Sequence, residues 1–190
     1  MDIQAWLEAL TCLQACRLQG CKLSMLAHVS EQQIHSSNFI GQLLRWMEHL
    51  KMPASCVELE ISERDAVGKD GNMIERLTTL RQAGFSIVID NLGSDHSAIS
   101  HLLYAPLTGI RIDEALTRRA ETKVSTALIE AILKIASVRD LHTIAAGVED
   151  ADTAAILTLL GVHRLQGNYF GLPLDYESFA ESLRGGDLVH

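Results

Sequence analysis

Apolar side chains recur at helical spacing along five stretches of the chain. Ile3, Leu7, Leu10 and Leu13 form the first, and Phe39, Leu43, Met47 and Leu50 the second. Met73, Leu77 and Leu80 follow, then Leu128, Ile132 and Ile135, and last Ala154, Leu157 and Leu160. Between them lie short apolar runs of strand length: Leu23–Val29, Val57–Ile61, Ser86–Ile89, Thr108–Ile112, His142–Ala145 and His163–Leu165. Strand and helix therefore alternate from end to end, and no repeat, low-complexity tract or long linker interrupts them. That alternation predicts a parallel α/β sheet or barrel in one domain over residues 1–190.

The punctuation agrees with the periodicity. Gly84 follows the Met73–Ala83 pattern and Gly161 follows Ala154–Leu160, each where a left-handed helix end favours glycine. Asp150 or Asp152 can cap the last of these helices, and Pro53 ends the one over Phe39–Leu50. In folds of this kind the loops after the strands carry the chemistry. His28, Glu60 with Glu63, Asp90 with Asn91, Arg111 with Asp113, Glu149 and Gln166 all fall at such strand ends. Each alone is a solvated loop residue or a helix cap as readily as a functional group; together they point to a present or former site.

Composition narrows the picture. Of 190 residues, 47% are hydrophobic and 21% charged, ordinary for a globular domain with a core. No apolar run reaches the roughly 18 to 20 residues that span a bilayer. Met1-Asp2-Ile3-Gln4 has no basic cluster and Glu8 breaks the apolar stretch, so no signal peptide is read and a cytoplasmic location is expected. A net charge of −8 and no basic, aromatic-interleaved patch argue against direct binding of DNA or RNA. A small anionic nucleotide can still be held by local groups. The four cysteines (Cys12, Cys16, Cys21, Cys56) lack the spacing of a disulfide framework or a zinc site and are expected as core thiols.

Several short motifs carry a resemblance. Glu58-Leu59-Glu60-Ile61-Ser62-Glu63 resembles the E-[IL]-T-E segment of EAL domains, the cyclic di-GMP phosphodiesterase family of bacteria. Ile89-Asp90-Asn91-Leu92-Gly93-Ser94 resembles its D-D-F-G-T-G loop, and Ile110-Arg111-Ile112-Asp113 its K-I-D. Ala145-Ala146-Gly147-Val148-Glu149 is similar to A-E-G-V-E, and Gln166-Gly167-Asn168-Tyr169-Phe170 to Q-G-Y-x-F. These stand in family order across residues 23 to 173 and imply an incomplete or modified TIM (β/α) barrel. The strand bearing the E-A-L signature is expected upstream of Met1; Glu8-Ala9-Leu10 spells the letters but lies inside the first helical pattern.

The resemblance also implies a hydrolytic site in which magnesium or manganese activates water and neutralises phosphoryl charge, with carboxylate and amide oxygens as ligands. Glu60 and Asp90 are matched as vestigial ligands. The second aspartate is Asn91, the ligand asparagine is His28, the lysine is Arg111, and the A-E-G-V-E glutamate is Ala146. Glu63, Asp113, Glu149 and Gln166 are retained, while Leu92, Ser94, Asp95 and His96 alter the loop after Asp90. So many lost donors predict no catalysis and no bound cofactor, with magnesium or manganese needed only if activity survives.

The expected function is thus an inactive EAL-like regulator of cyclic di-GMP signalling that works through protein contacts, using surface residues such as Trp46 or Tyr104. A non-hydrolysing cyclic di-GMP receptor is one alternative, with Glu60, Glu63, Asp90, Asn91, Arg111, Asp113, Glu149, Gln166 and Tyr169 as the candidate pocket; residual phosphodiesterase activity is another. An open barrel leaves strand edges and apolar surface to cover, which predicts a homo-oligomer beside any regulatory protein partner.

Overall fold

The computed structural model describes residues 3–67, 72–92 and 105–185. In chain order these form α1 (Ile3–Leu18), β1 (Met25–His28), α2 (Glu31–His35), α3 (Ser37–His49), β2 (Val57–Ser62), α4 (Glu63–Val67) and α5 (Met73–Gln82). There follow β3 (Ser86–Leu92), β4 (Gly109–Ile112), α6 (Glu114–Thr117), α7 (Lys123–Val138), β5 (His142–Ala145), α8 (Ala151–Leu160), β6 (Arg164–Leu165) and α9 (Tyr176–Gly185). All neighbouring strands pair in parallel in the order β1-β2-β3-β4-β5-β6. Each strand lies beside the one before it, so successive crossovers of one hand curl the sheet into a half-barrel with helices outside.

The two faces of that sheet differ because side chains alternate along a strand. One face carries Leu59, Ile61, Ile87, Ile89, Ile110 and Ile112, which align across the register and belong to the main hydrophobic core. Leu77 and Leu80 of α5 and Ile129 and Ile132 of α7 are buried in that same core. The other face carries Glu58, Glu60, Asp90, Arg111, His142 and Arg164, again aligned by register. A charged inner wall and an apolar outer wall follow from a single alternation.

Local signals explain where helices begin and stop. Asp150 accepts a hydrogen bond from the Thr153 amide at 2.7 Å and so caps α8, while Gly161 ends it at φ +91°. Gly84 takes φ +99° after α5 as the glycine placement predicts. Ser30 and Gln33 form a reciprocal capping box on α2, which the periodicity did not show. Trp6 of α1 is fully buried, edge-on to Phe39 of α3 with ring centroids 5.6 Å apart. Trp46, expected at the surface, is partly buried against the core. Tyr104 lies outside the described residues. All four cysteines are free; Cys16 and Cys56 are buried, but Cys12 and Cys21 are only partly so. Among the described residues no helix is long and apolar enough to cross a membrane.

The inner face is tied across by charge. Glu58 on β2 receives Arg164 of β6, 106 residues away, through Nη1 at 2.6 Å and Nη2 at 2.5 Å. His142 of β5 sits 3.2 Å from the same carboxylate. Gly109 of β4 is needed here, because a Cβ would meet the His142 ring lying over it. Burial alone would raise Glu58, but hydrogen bonds from His142 and Arg164, and their charges, outweigh it and hold the carboxyl at about 2. A carboxyl lowered on folding from 4.5 stabilises the fold fully above that pH and progressively less as pH falls toward 2. Arg164→Ala leaves this buried carboxylate to His142 and should cost about 1 to 3 kcal/mol in urea unfolding at pH 7. Glu58→Gln should flatten the acid limb below pH 4.5; an unchanged acid limb in that variant would show that the bridge does not control it.

Candidate active site

At the carboxyl-terminal end of the inner face, three strands send charged side chains to one point. Glu60 lies two residues beyond Glu58 on β2, so the alternation puts it on the same face one step nearer the strand ends. Asp90 is on β3 within a register irregularity between Ile89 and Leu92. Such a bulge re-aims a side chain. Arg111 comes from β4. Its Nη1 stands 2.8 Å from Asp90 Oδ1 and 2.9 Å from Glu60 Oε1. The Asp90 contact is an aligned hydrogen bond. The contact to Glu60 Oε1 is an ion pair without aligned hydrogen-bond geometry. Both carboxylate side chains are 10% exposed and the guanidinium side chain 22%.

Burial pushes the Glu60 carboxyl well above the ordinary carboxylate range; the adjacent Asp90 charge adds to the rise, and Arg111 opposes it. Burial would lower Arg111, but contacts with Asp90 and Glu60 raise it instead, so it stays a cation. Arg111 stands in the place of the family's lysine and is a candidate pocket residue from sequence. Here its charge is already engaged by the two residues matched as metal ligands.

Beside this triad a cavity of about 180 Å³ opens, lined by Arg111, Glu114, Arg118, Gly147, Glu149, Gln166, Gly167 and Asn168. Pockets that enclose a whole drug-sized ligand are roughly 300 to 1,000 Å³, so this one has room for only part of such a molecule. Its walls come from the loops after β4, β5 and β6. Gly147 adopts φ +73° with Glu114 packed where a Cβ would project. Gly167 lies so close to the Val148 backbone that no side chain fits. The Val148 amide donates to the Gln166 carbonyl at 3.0 Å and the Tyr169 amide to the Val148 carbonyl at 3.1 Å, locking these two loops together.

Two wall residues were missed in the sequence. Arg118 contacts Glu114 and also Glu149, the latter at 2.8 Å. The Glu114–Arg118 spacing of four, from the start of α6 to its C-cap, was the signal available. Glu149 and Gln166 reach the cavity as expected, but other candidates do not. Asp113 caps α6, accepting from the Ala115 amide at 2.8 Å. Glu63 is buried in the first turn of α4. Tyr169 is exposed, stacked edge-on to Phe170 at 5.1 Å, and does not line the cavity. His28 is exposed at the end of β1, paired in register with Glu60. Ala146 is buried. The side chain of Asn91, and residues Ser94, Asp95 and His96, lie outside the described residues.

The chemistry of the donors, carboxylate oxygens, suits a hard cation. Glu60 and Asp90 converge on one point, and the guanidinium nitrogen sits there. No cluster of three or more histidine, cysteine, aspartate or glutamate donors forms among the described residues.

The EAL domain pattern matches residues 2–173, and the chain belongs to that family. Cyclic di-GMP phosphodiesterase PdeR of Escherichia coli is 26% identical over 86% of this chain and 25% of its own length. Among solved structures, the EAL enzyme Bd1971 in its cAMP- and cyclic-di-GMP-bound form superposes with a TM-score of 0.86 at 26% identity, covering 93% of this chain and 50% of that one. BlrP1 of Klebsiella pneumoniae, solved as a manganese/cy-diGMP complex, shares the fold with a TM-score of 0.81 at 20% identity, covering 90% and 43%. The chain spans about a quarter of the length of the curated relatives it matches. These findings confirm the half-barrel of EAL type. They also correct one expectation: relatives matching most of the chain are named phosphodiesterases, which overturns the inference from lost donors that it is no enzyme. The expectation of no cofactor loses its footing with it.

Proposed function

We propose that this chain acts on cyclic di-GMP, as an EAL domain of the phosphodiesterase type. The observation that carries the reading is Arg111, which joins the Glu60–Asp90 pair to the cavity it lines with Gln166 and Gly167. A dication, when bound, would be held by Glu60 and Asp90 and would supply Lewis-acid charge and an activated water. The chain's own groups do the recognition. Arg111 offers a cation to a phosphate oxygen, and the Gln166 and Asn168 amides can pair with guanine edges. Glu149 accepts from guanine N–H groups, while the Arg118 contact holds its carboxylate in place. Relatives named as cyclic di-GMP phosphodiesterases support this substrate class.

Calorimetric titration of cyclic di-GMP should give saturable heat, and Gln166→Ala or Glu149→Ala should weaken binding about tenfold each, a loss of one hydrogen bond to a charged or polar partner. Incubation with manganese should yield the linear dinucleotide by chromatography. No heat at high micromolar nucleotide ends the reading.

A second reading has its own observation. Tyr169, Phe170, Leu172, Leu174 and Tyr176 are all substantially exposed along one short segment. Apolar side chains gathered this way mark a contact surface. We infer that a second copy of the chain covers it. Sedimentation should show a dimer that Leu172→Glu with Leu174→Glu converts to monomer; a wild-type monomer at high micromolar concentration contradicts this.

A further inference from the structure

We propose that Arg111 is an exchangeable internal cation: its guanidinium and a divalent cation exclude each other between Glu60 and Asp90, and loading of the cation turns Arg111 toward the cavity. The inference rests on the cyclic di-GMP reading for what Arg111 then meets, but the exchange itself does not.

Three observations lead to it. First, one atom, Arg111 Nη1, lies 2.8 and 2.9 Å from oxygens of two different carboxylates. That is the point on which oxygens of Glu60 and Asp90 jointly converge, so a second positive ion cannot be held there while the nitrogen remains. Like charges a few ångströms apart in a poorly hydrated site repel strongly. Second, Glu60 is only 8% exposed, and its Oε1 accepts no aligned hydrogen bond. A buried carboxylate left without a cation is costly, so an incoming cation offsets the departure of Arg111. Arginine cannot vacate the position by losing its proton; it must rotate. Third, Arg111 already lines the cavity with Glu149, Gln166 and Gly167. The long side chain has somewhere to go, and a phosphate there would meet it.

The consequence is a linkage. A dication that displaces Arg111 improves the cavity for an anion, and by reciprocity an anion that captures Arg111 improves the carboxylate pair for a dication. A lysine at this position, with a compact ammonium and no fork, would not bridge two carboxylates and reach the cavity in the same way.

The test is manganese binding to the whole chain, read as loss of the free-ion electron paramagnetic resonance signal, with no nucleotide present. Arg111→Gln should bind manganese at least tenfold more tightly than the wild type, because the competitor is gone. Arg111→Lys should fall between them and guards against a folding defect in the glutamine variant, each being checked by its melting curve. Folded variants that bind manganese no more tightly than wild type overturn the exchange. A second arm adds a phosphorothioate analogue of cyclic di-GMP that resists cleavage. Wild-type manganese affinity should then rise about tenfold while that of Arg111→Gln stays put; an equal rise in both overturns the linkage. Because the first arm contains no nucleotide, its failure is separate from a failure of cyclic di-GMP to bind.

Discussion

Two buried glutamates on one strand set the terms for the rest of this structure. Glu58 and Glu60 stand two residues apart on β2, hence on the same inward face, and both are more than nine-tenths buried. Each carboxylate needs a cation, and neither can find one on its own strand. Glu58 takes Arg164 from β6 and His142 from β5; Glu60 shares Arg111 of β4 with Asp90 of β3. Those partners lie two to four strands away, so satisfying the charges draws the concave face together. The apolar outer wall supplies the bulk of the burial. The inner charges fix what the curvature is for.

The two glutamates then serve opposite ends. Near the strand starts, Glu58 meets two partners and sits far below the ordinary carboxylate range, a closed arrangement that stabilises. Toward the strand ends, Glu60 is raised by burial, with the Asp90 charge beside it, and its cation is a long side chain that also borders a cavity. A satisfied bridge makes a strut, whereas an over-supplied pair of acids makes a site that responds to what enters. One strand, with a period of two, provides both.

Much of this is legible in the sequence. Six short apolar runs mark six strands, and Gly84, Gly161 and Asp150 end or begin the helices they flank. Glu60, Asp90, Arg111, Glu149 and Gln166 were found because strand ends and motif order both point to them. What failed was pairing. Glu58 and Arg164 are 106 residues apart, and no periodicity connects them. Asp113 has the composition of a ligand but the geometry of a helix cap. The inference of inactivity counted missing donors by identity, which says nothing about where the remaining ones converge; the relatives reverse it. Arg118 was overlooked because a surface arginine four residues from a glutamate ordinarily has no function.

The central claim is that the position between Glu60 and Asp90 takes one cation at a time. Anomalous diffraction from crystals soaked in manganese reads this directly. A single manganese peak between the two carboxylates, with the Arg111 guanidinium rotated toward Gln166, is the predicted result. Manganese bound there with Arg111 still in contact with both acids, or two manganese peaks sharing them, would contradict it.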